Sequence, residues 1–295
     1  MNILMTGGTG FVGRNLTQAL VSNGYKVFIL TRSPHTYHNT KQVTYLSYNV
    51  DFTQLPTIHA VINLAGESLF GYWTMEKKQR ILNSRLETTT TLISLMKQMD
   101  PKPDVFLSAS AVGYYGTSDE MIFTEKSKEP GEDFLADVVS KWEQVAQQAE
   151  AFNIRTVCTR FGVVLGDDGA LPFMSLPVKL FAGGKIGSGN QYMSWVHIDD
   201  VVGLLMFCLN HHEVKGPINI TAPTPKQNKQ FMKTLAIVLK RPYWFSTPAL
   251  LVRLATGEMS TLIVDGQYVL PGKAEKLGYE FKYPTLENAL KSIFY

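Results

Sequence analysis

The feature that most constrains the fold of this chain is a short apolar segment, Asn2–Met5, followed directly by the glycine-rich sequence TGGTGFVG at residues 6–13. Apolar residues three and four apart then continue over Arg14–Ser22, which is the spacing of an amphipathic helix. A strand, a glycine turn and a helix in this order form the first half of a βαβ unit. The N-terminal segment therefore predicts the start of a parallel α/β sheet.

The rest of the chain repeats this alternation of short apolar runs and helical spacing. The runs that predict strands are Ile3–Met5, Lys26–Leu30, Val43–Tyr48, Ala60–Leu64, Val105–Leu107, Thr156–Val164 and Pro217–Ile220. The longer helical patterns cover Arg14–Ser22, Thr74–Met99 and Phe134–Ala151. Because the strands are apolar almost throughout, helices are expected to cover both faces of the sheet. The pattern predicts an α/β fold with a doubly wound parallel sheet, a Rossmann fold.

After about residue 165 the regular alternation gives way to loops rich in glycine and proline and to shorter helices, near Gln227–Leu239 and Pro248–Ala255. We interpret this region as a smaller C-terminal α/β lobe that binds a substrate. The expected Rossmann domain covers residues 1–164 and about 195–222. The expected lobe covers about 165–194 and 223–295.

Composition is that of an ordinary soluble globular protein, with 45% apolar residues, 18% charged residues and a net charge of +3. The chain has no block of like charges, so no nucleic-acid partner is expected. It also lacks an apolar run of about eighteen residues, so we expect no membrane partner. Cys158 and Cys208 stand singly in apolar segments and are expected to be buried thiols in a reducing cytoplasm, and the histidines show no metal-ligand spacing.

The glycine turn predicts a dinucleotide site. Gly7 allows a tight bend, Gly10 lets a pyrophosphate approach the backbone, and Gly13 lets the helix pack closely on the sheet, with the anion at the helix N-terminus. The alternative is a bare strand–helix turn. The candidate cofactor-binding residues of this stretch are Thr6, Gly7, Gly10, Phe11 and Val12.

The residues after the second predicted strand indicate which dinucleotide binds. Sites for NAD usually place an acidic residue there to accept a hydrogen bond from the ribose. Here the strand ends in Thr31-Arg32-Ser33, without an acid. The Arg32 guanidinium is suited to a 2′-phosphate, although an arginine exposed to solvent is the plain alternative. The sequence favours NADP.

Further segments resemble the extended short-chain dehydrogenases/reductases of the sugar-nucleotide-epimerase type. They are NLAG at 63–66, SASAVGYYG at 108–116, RFGVVLG at 160–166 and SWVHIDDV at 194–201. A narrower set, NLAGE at 63–67, SRLETT at 84–89, KWE at 141–143 and IGSGNQYMSWVHI at 186–198, is similar to a poorly characterised group of bacterial and mitochondrial epimerase-family proteins. The resemblance covers nearly the whole chain. It implies that the cofactor site also includes Asn63, Leu64, Ala65, Gly66 and Glu67.

The chain departs from this family at the catalytic residues. The resemblance implies a serine, a tyrosine, and a lysine four residues after the tyrosine; Ser110 and Lys141 match, but Asp137 stands at the tyrosine position. A carboxylate with a pKa of about 3.9 is ionised at neutral pH and cannot donate a proton. Asp137 and Lys141 therefore also fit an exposed ion pair. Tyr114 and Tyr115 either replace the missing phenol or shape an apolar substrate slot, so the catalytic candidates are Ser110, Tyr114, Tyr115 and Lys141.

Arg85 is a second departure, because the extended enzymes usually carry asparagine there. A buried arginine needs an anionic partner, and the cofactor phosphates or Glu67 are candidates, with a surface salt bridge as the alternative. His197 is expected to be structural, and Asp199 and Asp200 suit a helix N-terminus.

These observations predict an NADP-dependent oxidoreductase or epimerase that acts on an unidentified small carbonyl or hydroxyl substrate. The missing tyrosine favours an alternative, an NADP-binding sensor or regulatory protein without hydride chemistry. The sequence leaves the oligomeric state open; related proteins often pair through their long helices, so a homodimer is one expectation.

Overall fold

The computed structural model describes residues 1–295, apart from the side chain of Thr53. Its strands, in chain order, are β1 (Asn2–Thr6), β2 (Lys26–Leu30), β3 (Val43–Leu46), β4 (Ala60–Asn63), β5 (Val105–Ala111), β6 (Ile122–Phe123), β7 (Arg155–Phe161), β8 (Val163–Leu165), β9 (Gly184–Ile186), β10 (Tyr192–Met193), β11 (Trp195–His197), β12 (Gly216–Ile220), β13 (Lys226–Gln227), β14 (Phe245–Thr247) and β15 (Tyr268–Val269). Its helices are α1 (Phe11–Ser22), α2 (Met75–Gln98), α3 (Phe134–Gln147), α4 (Ala170–Lys179), α5 (Ile198–Asn210), α6 (Asn228–Val238), α7 (Ala249–Thr256), α8 (Thr261–Val264), α9 (Gly272–Lys276) and α10 (Leu286–Phe294).

A seven-stranded sheet in the order β12-β7-β5-β4-β1-β2-β3 forms the centre of the molecule, and all of its strands are parallel. Each of its strands arises from one of the predicted apolar runs, so the doubly wound Rossmann fold is confirmed. The strand order reverses between β1 and β4, which is where such sheets open a crevice for a ligand. Thr6 pairs with Leu30 on one side and Asn63 on the other, so three carboxyl ends meet at this crevice.

One predicted strand divides in two. The run Thr156–Val164 ends as β7 at Phe161, and after Gly162 the chain continues as β8, which pairs with β11 instead of the main sheet. A Cβ atom at Gly162 would lie 2.3 Å from the Ser194 carbonyl oxygen. Only glycine therefore allows the chain to turn out of the sheet at this point.

Two apolar layers cover the two faces of the sheet. One packs α1 and α5 on the sheet around Ile3, Leu16 and Val201, and the other packs α2 and α3 around Leu92 and Phe106. A third core, which includes Trp195, Phe231 and Leu290, packs α4, α6 and α10 together outside the main sheet, and we call this part of the molecule the lobe. The C-terminal segment is shared between the two parts, because Ala274, Leu277, Tyr279 and Phe281 pack on the Rossmann core.

Side chains cover both outer edges of the sheet. On β12, the Asn219 amide donates to Glu125 Oε1 at 2.9 Å, and Lys273 Nζ donates to the carbonyls of Lys215 and Pro217. On β3, the Val43 amide donates to Thr40 Oγ1 at 3.0 Å and the Tyr45 amide to Asn39 Oδ1 at 2.8 Å. Backbone groups that an edge strand normally exposes are thus bonded within the chain.

Candidate nucleotide-binding and active site

The predicted glycine turn links β1 to α1. Gly7 has a φ of +70°, a conformation that side chains other than glycine rarely adopt. A Cβ atom there would lie 2.5 Å from the Leu64 carbonyl carbon, so the turn packs directly on the chain leaving β4. A Cβ at Gly13 would lie 2.2 Å from the Gly7 oxygen. Gly13 thus brings α1 against the turn itself, whereas the sequence predicted contact with the sheet.

The N-terminus of α1 fits an anion. Gly10 is the N-cap residue, no side chain caps the helix, and its first turn contains no acidic residue. A Cβ at exposed Gly10 would meet only the Gly7 oxygen, at 3.4 Å, and nothing else within 4 Å. The first turn of α1 is therefore uncapped and has open space beside Gly10, as a pyrophosphate requires.

A chain of buried hydrogen bonds supports this turn from below. Thr6 Oγ1 donates to Asn63 Oδ1 at 2.6 Å, and Asn63 Nδ2 donates to Thr89 Oγ1 at 2.9 Å. The Trp142 indole donates to the same Thr89 oxygen at 2.9 Å. Thr6 and Asn63 were predicted as cofactor residues, but both are fully buried. Their side chains hold β1 and β4 together and do not face a ligand.

The other predicted residues around the turn are partly buried. Val12 and Leu64 pack on the Rossmann core, and Ala65 is half-buried beside them. Phe11 contacts the segment that leads into the lobe, since a Cβ at Gly166 would lie 2.4 Å from the Phe11 ring. The first turn of α1 therefore joins the cleft to the lobe.

Arg32 and Glu67 lie on the two sides of the crevice. Arg32 is exposed and forms no hydrogen bond or ion pair with any residue that the structure describes. The Glu67 carboxylate accepts from Lys77 Nζ at 2.7 Å, which lowers the pKa of Glu67. The Arg32 guanidinium is thus available to an outside anion, while Glu67 already has its own cation.

Arg85 lies under the end of β4 and has no carboxylate within ion-pair distance among the described residues. Its Nη1 donates to the Ile81 carbonyl at 2.9 Å and to the Glu67 backbone carbonyl at 3.2 Å. Burial lowers the pKa of Arg85 to about 10, and the Glu67 charge opposes this. The predicted partner Glu67 is present, but it contributes a backbone oxygen. The Arg85 Cζ also lies 5.2 Å from the centroid of the Trp142 ring. A partly desolvated cation whose hydrogen bonds go only to carbonyls still favours an anion nearby.

Ser110, Glu143 and Arg160 form a buried cluster in which, among the described residues, Arg160 Nη1 has no hydrogen-bond partner. The Ser110 hydroxyl donates to Glu143 Oε1 at 2.5 Å, and Arg160 donates through Nε and Nη2 to the two Glu143 oxygens, both at 2.7 Å. All three residues are at most 5% exposed. Burial alone would lower the pKa of Arg160, but the hydrogen bonds and charge of Glu143 raise it above its ordinary value. The Ser110 hydroxyl is therefore bonded within the fold.

Sequence reasoning missed Glu143 and Arg160 as members of this cluster, although a signal was present. Arg160 is a charged residue inside an apolar strand run, and a buried charge requires a partner. What the sequence did not supply was the register that pairs Ser110 with Arg160 across β5 and β7.

The two tyrosine hydroxyls are also bonded within the fold. Tyr114 donates to the Lys128 carbonyl at 2.6 Å, and its ring lies under the Arg160 guanidinium, 3.5 Å from ring centroid to Cζ. Tyr115 is buried and donates to Asn219 Oδ1 at 2.8 Å, and burial raises the pKa of Tyr115. A phenol that relays protons near neutral pH needs a lowered pKa. The geometry favours the interpretation that these rings shape a wall.

Lys141 forms the ion pair with Asp137 that was one of the two interpretations of the sequence. The Nζ–Oδ2 distance is 2.7 Å, and the side chains are 48% and 52% exposed. Lys141 lies two residues before Glu143, or about 200° around the helix, so it points away from Ser110. The structure does not bring Lys141 and Ser110 together.

Two aliphatic residues precede Glu143 on the face of α3 that points toward Ser110. Leu135, Val139 and Glu143 follow at intervals of four along α3, and Glu143 contacts Ser110. A Cβ at Gly113 would lie 3.4 Å from Leu135 Cβ, so this face borders the loop after β5. Val139 is 4% exposed. The i, i+4 pair facing the loop is thus two aliphatic side chains.

A doubly wound parallel sheet with a free helix N-terminus at its topological switch point defines a Rossmann-type nucleotide-binding protein. The sequence comparisons place it more narrowly. The chain belongs to the NAD-dependent epimerase/dehydratase family, whose model matches residues 3–221, and residues 247–293 match a domain of unknown function. The family that the sequence motifs resembled is confirmed.

Known proteins resemble the chain over nearly its whole length. The epimerase family protein YfhF of Bacillus subtilis is 46% identical, with 99% of this chain and 98% of that protein covered. The crystal structure of human epimerase family protein SDR39U1 with NADPH has a TM-score of 0.89 and 33% identity, covering 99% of each chain. A Bacillus cereus UDP-glucuronic acid 4-epimerase in complex with UDP-glucuronic acid and NAD has a TM-score of 0.77 over 99% of this chain and 98% of that chain. Its identity is 18%, so it supports the fold alone. None of these relatives supports the regulatory alternative.

Proposed function

We propose that the protein binds NADPH and transfers reducing equivalents between this cofactor and a small carbonyl or hydroxyl compound. The observation that carries the proposal is the uncapped N-terminus of α1 above Gly10, beside the unpaired guanidinium of Arg32. Arg32 follows β2, where the ribose of a Rossmann dinucleotide lies. NADPH in the similar human protein supports the same choice.

The residues present fit this cofactor. The first turn of α1 would hold the pyrophosphate, Arg32 the 2′-phosphate, and the backbone of Ala65 and Gly66 would line the crevice wall. Arg85 would supply positive charge behind Gly66, since a Cβ there would lie 3.2 Å from its Cζ. When bound, NADPH supplies a hydride from its nicotinamide ring.

The side chains also limit the substrate. Leu135 and Val139 cannot exchange a proton, and the hydroxyls of Ser110, Tyr114 and Tyr115 are bonded within the fold. Such a site suits a substrate whose oxygen needs little help from a side-chain acid. Reduction of a quinone leaves its oxygen phenolic. A phenolic oxygen, with a pKa of about 10, carries negative charge far more readily than the oxygen of an aliphatic alcohol. We therefore favour quinone-like carbonyls over the hydroxyl groups of sugar nucleotides.

Calorimetric titration with NADPH and NADH tests the cofactor. NADPH should bind at least tenfold tighter, about 1.4 kcal/mol, and Arg32→Ala should remove most of this preference. Arg253→Ala, an exposed arginine of the lobe, is the matched control and should leave the preference unchanged. Equal affinities for both cofactors would contradict the assignment. NADPH oxidation should then be followed with quinones, small aldehydes and sugar nucleotides as acceptors.

A further inference from the structure

The smaller lobe exposes large apolar side chains over two segments, residues 170–183 and 240–256, which together form a surface that we call the lobe face. Among them, Phe173 is 64% exposed, Leu180 69%, Trp244 76% and Leu254 70%. No residue of α7 is buried. Soluble proteins rarely leave this many large apolar side chains together in water without a partner.

Direct contacts connect the two segments. Trp244 Nε1 donates to the Phe181 carbonyl at 2.7 Å, which fastens the strand before α7 to the end of α4. The loop after β4 touches both helices: the Phe70 ring lies 4.9 Å from the Phe173 ring, and the Tyr72 hydroxyl donates to the Ala255 carbonyl at 2.6 Å. The lobe face is therefore continuous and borders the cofactor crevice.

The charges of the lobe face all have one sign. Its charged residues are Lys179, Lys240, Arg241 and Arg253, and neither segment contains an acidic residue. Arg253 pairs with Asp265 at 3.3 Å, whereas the other three have no ion-pair partner in the part of the chain that the structure describes. A second copy docked on this face would bring like charges together, which is unfavourable. Anionic lipid headgroups are complementary to it.

We propose that the lobe face docks on the surface of an anionic phospholipid bilayer, with its tryptophan, phenylalanine and leucine side chains in the headgroup region and its basic side chains at the phosphates. Among the described residues, no helix has the length and apolarity that crossing a bilayer requires. The sequence led us to expect no membrane partner, because the two segments are far apart in the chain and neither is a long apolar run. The proposal is independent of the proposed cofactor.

Tryptophan fluorescence of the full chain provides a direct test, because the other three tryptophans are buried: Trp73, Trp142 and Trp195. Vesicles of phosphatidylcholine with phosphatidylglycerol should shift the Trp244 emission to the blue and co-sediment the protein. Vesicles of pure phosphatidylcholine should bind at least tenfold more weakly, and added salt should weaken binding to the anionic vesicles. Trp244→Phe should abolish the shift but leave most of the co-sedimentation.

Paired variants locate the surface. Leu254→Glu should weaken vesicle binding at least tenfold, and Lys240→Glu with Arg241→Glu should do the same. Met121→Glu replaces an equally apolar side chain, 59% exposed and outside the lobe face, and should bind like the wild type.

If the wild type neither shifts nor co-sediments, or if Leu254→Glu binds normally, the proposal is wrong. A blue shift that appears with protein concentration alone would show that a second copy covers the face. If Leu254→Glu does not fold, the dependence of wild-type vesicle binding on anionic lipid and on salt still tests the proposal.

Discussion

The two sides of the cleft contrast in how their polar groups are satisfied. On the β1–β4 side, no side chain caps the first amides of α1, and Arg32 and Arg85 form no ion pair within the described chain. On the β5–β7 side, Ser110, Glu143 and the tyrosine hydroxyls all bond to other groups of the fold. The first arrangement is built to receive an anion. The second is built to hold the molecule together.

This contrast separates a sequence motif from its chemical role. The glycine turn and Ser110 both match the dehydrogenase pattern in sequence, yet Ser110 is bonded within the fold, whereas the first amides of α1 and the Arg32 side chain are free for a ligand. We therefore expect variants on the β5–β7 side to change stability, and variants on the β1–β4 side to change cofactor affinity.

The largest expected effect is on the β5–β7 side. Glu143→Leu leaves the buried Arg160 guanidinium without a counter-charge and should lower the free energy of unfolding by about 3–5 kcal/mol. Adding Arg160→Met removes that charge and should restore part of the loss. Urea denaturation measures both. If Glu143→Leu alone is as stable as the wild type, this cluster does not stabilise the fold.

The next effect belongs to the β1–β4 side. Gly10→Val places a branched side chain where a pyrophosphate must approach, and its Cβ atom would meet only the Gly7 oxygen, at 3.4 Å. NADPH affinity should fall at least a hundredfold, about 2.8 kcal/mol, with the melting temperature changed by only a few degrees. Calorimetric titration and thermal unfolding give the two values. If Gly10→Val binds NADPH normally, the glycine turn is only a connection between a strand and a helix.

Tyr115→Phe should affect stability more than turnover. It leaves Asn219 Oδ1 buried without its donor, which costs about 1–3 kcal/mol, and Tyr114→Phe should cost less because water can reach the Lys128 carbonyl. NADPH oxidation with any acceptor that the wild type reduces should stay within a few-fold. A loss of about 10²-fold in turnover without loss of stability would instead identify that phenol as a general acid.

The smallest effect is expected at the exposed ion pair. Lys141→Ala should lower the free energy of unfolding by about 0.3–0.5 kcal/mol and leave NADPH affinity within twofold, as should Asp137→Asn. A collapse of NADPH affinity or turnover in either variant would mean that this helix face contributes to the site after all.

Features set by neighbouring residues were predictable from the sequence. The apolar runs give the strands, and the Gly7–Gly13 spacing gives the turn, because each depends on local conformation. The partner of Glu143 depends on strand register, and the direction of Lys141 depends on which face of α3 packs inward. Motif spacing alone placed Lys141 in the site, whereas the burial of Val139 and Glu143 shows that the opposite face points there. The two segments of the lobe face lie far apart in the sequence, so they come together only in the folded chain.

The covered edges of the sheet have a consequence for how the chain behaves at high concentration. Two parallel sheets of this kind could join into a longer ribbon if β3 or β12 offered free backbone groups. Here Asn39 and Thr40 occupy one edge, and Glu125 and Lys273 the other. Substituting either pair would leave the crevice intact while opening a strand for addition. Such a variant would aggregate during expression, and the protein that stayed in solution would still bind its cofactor.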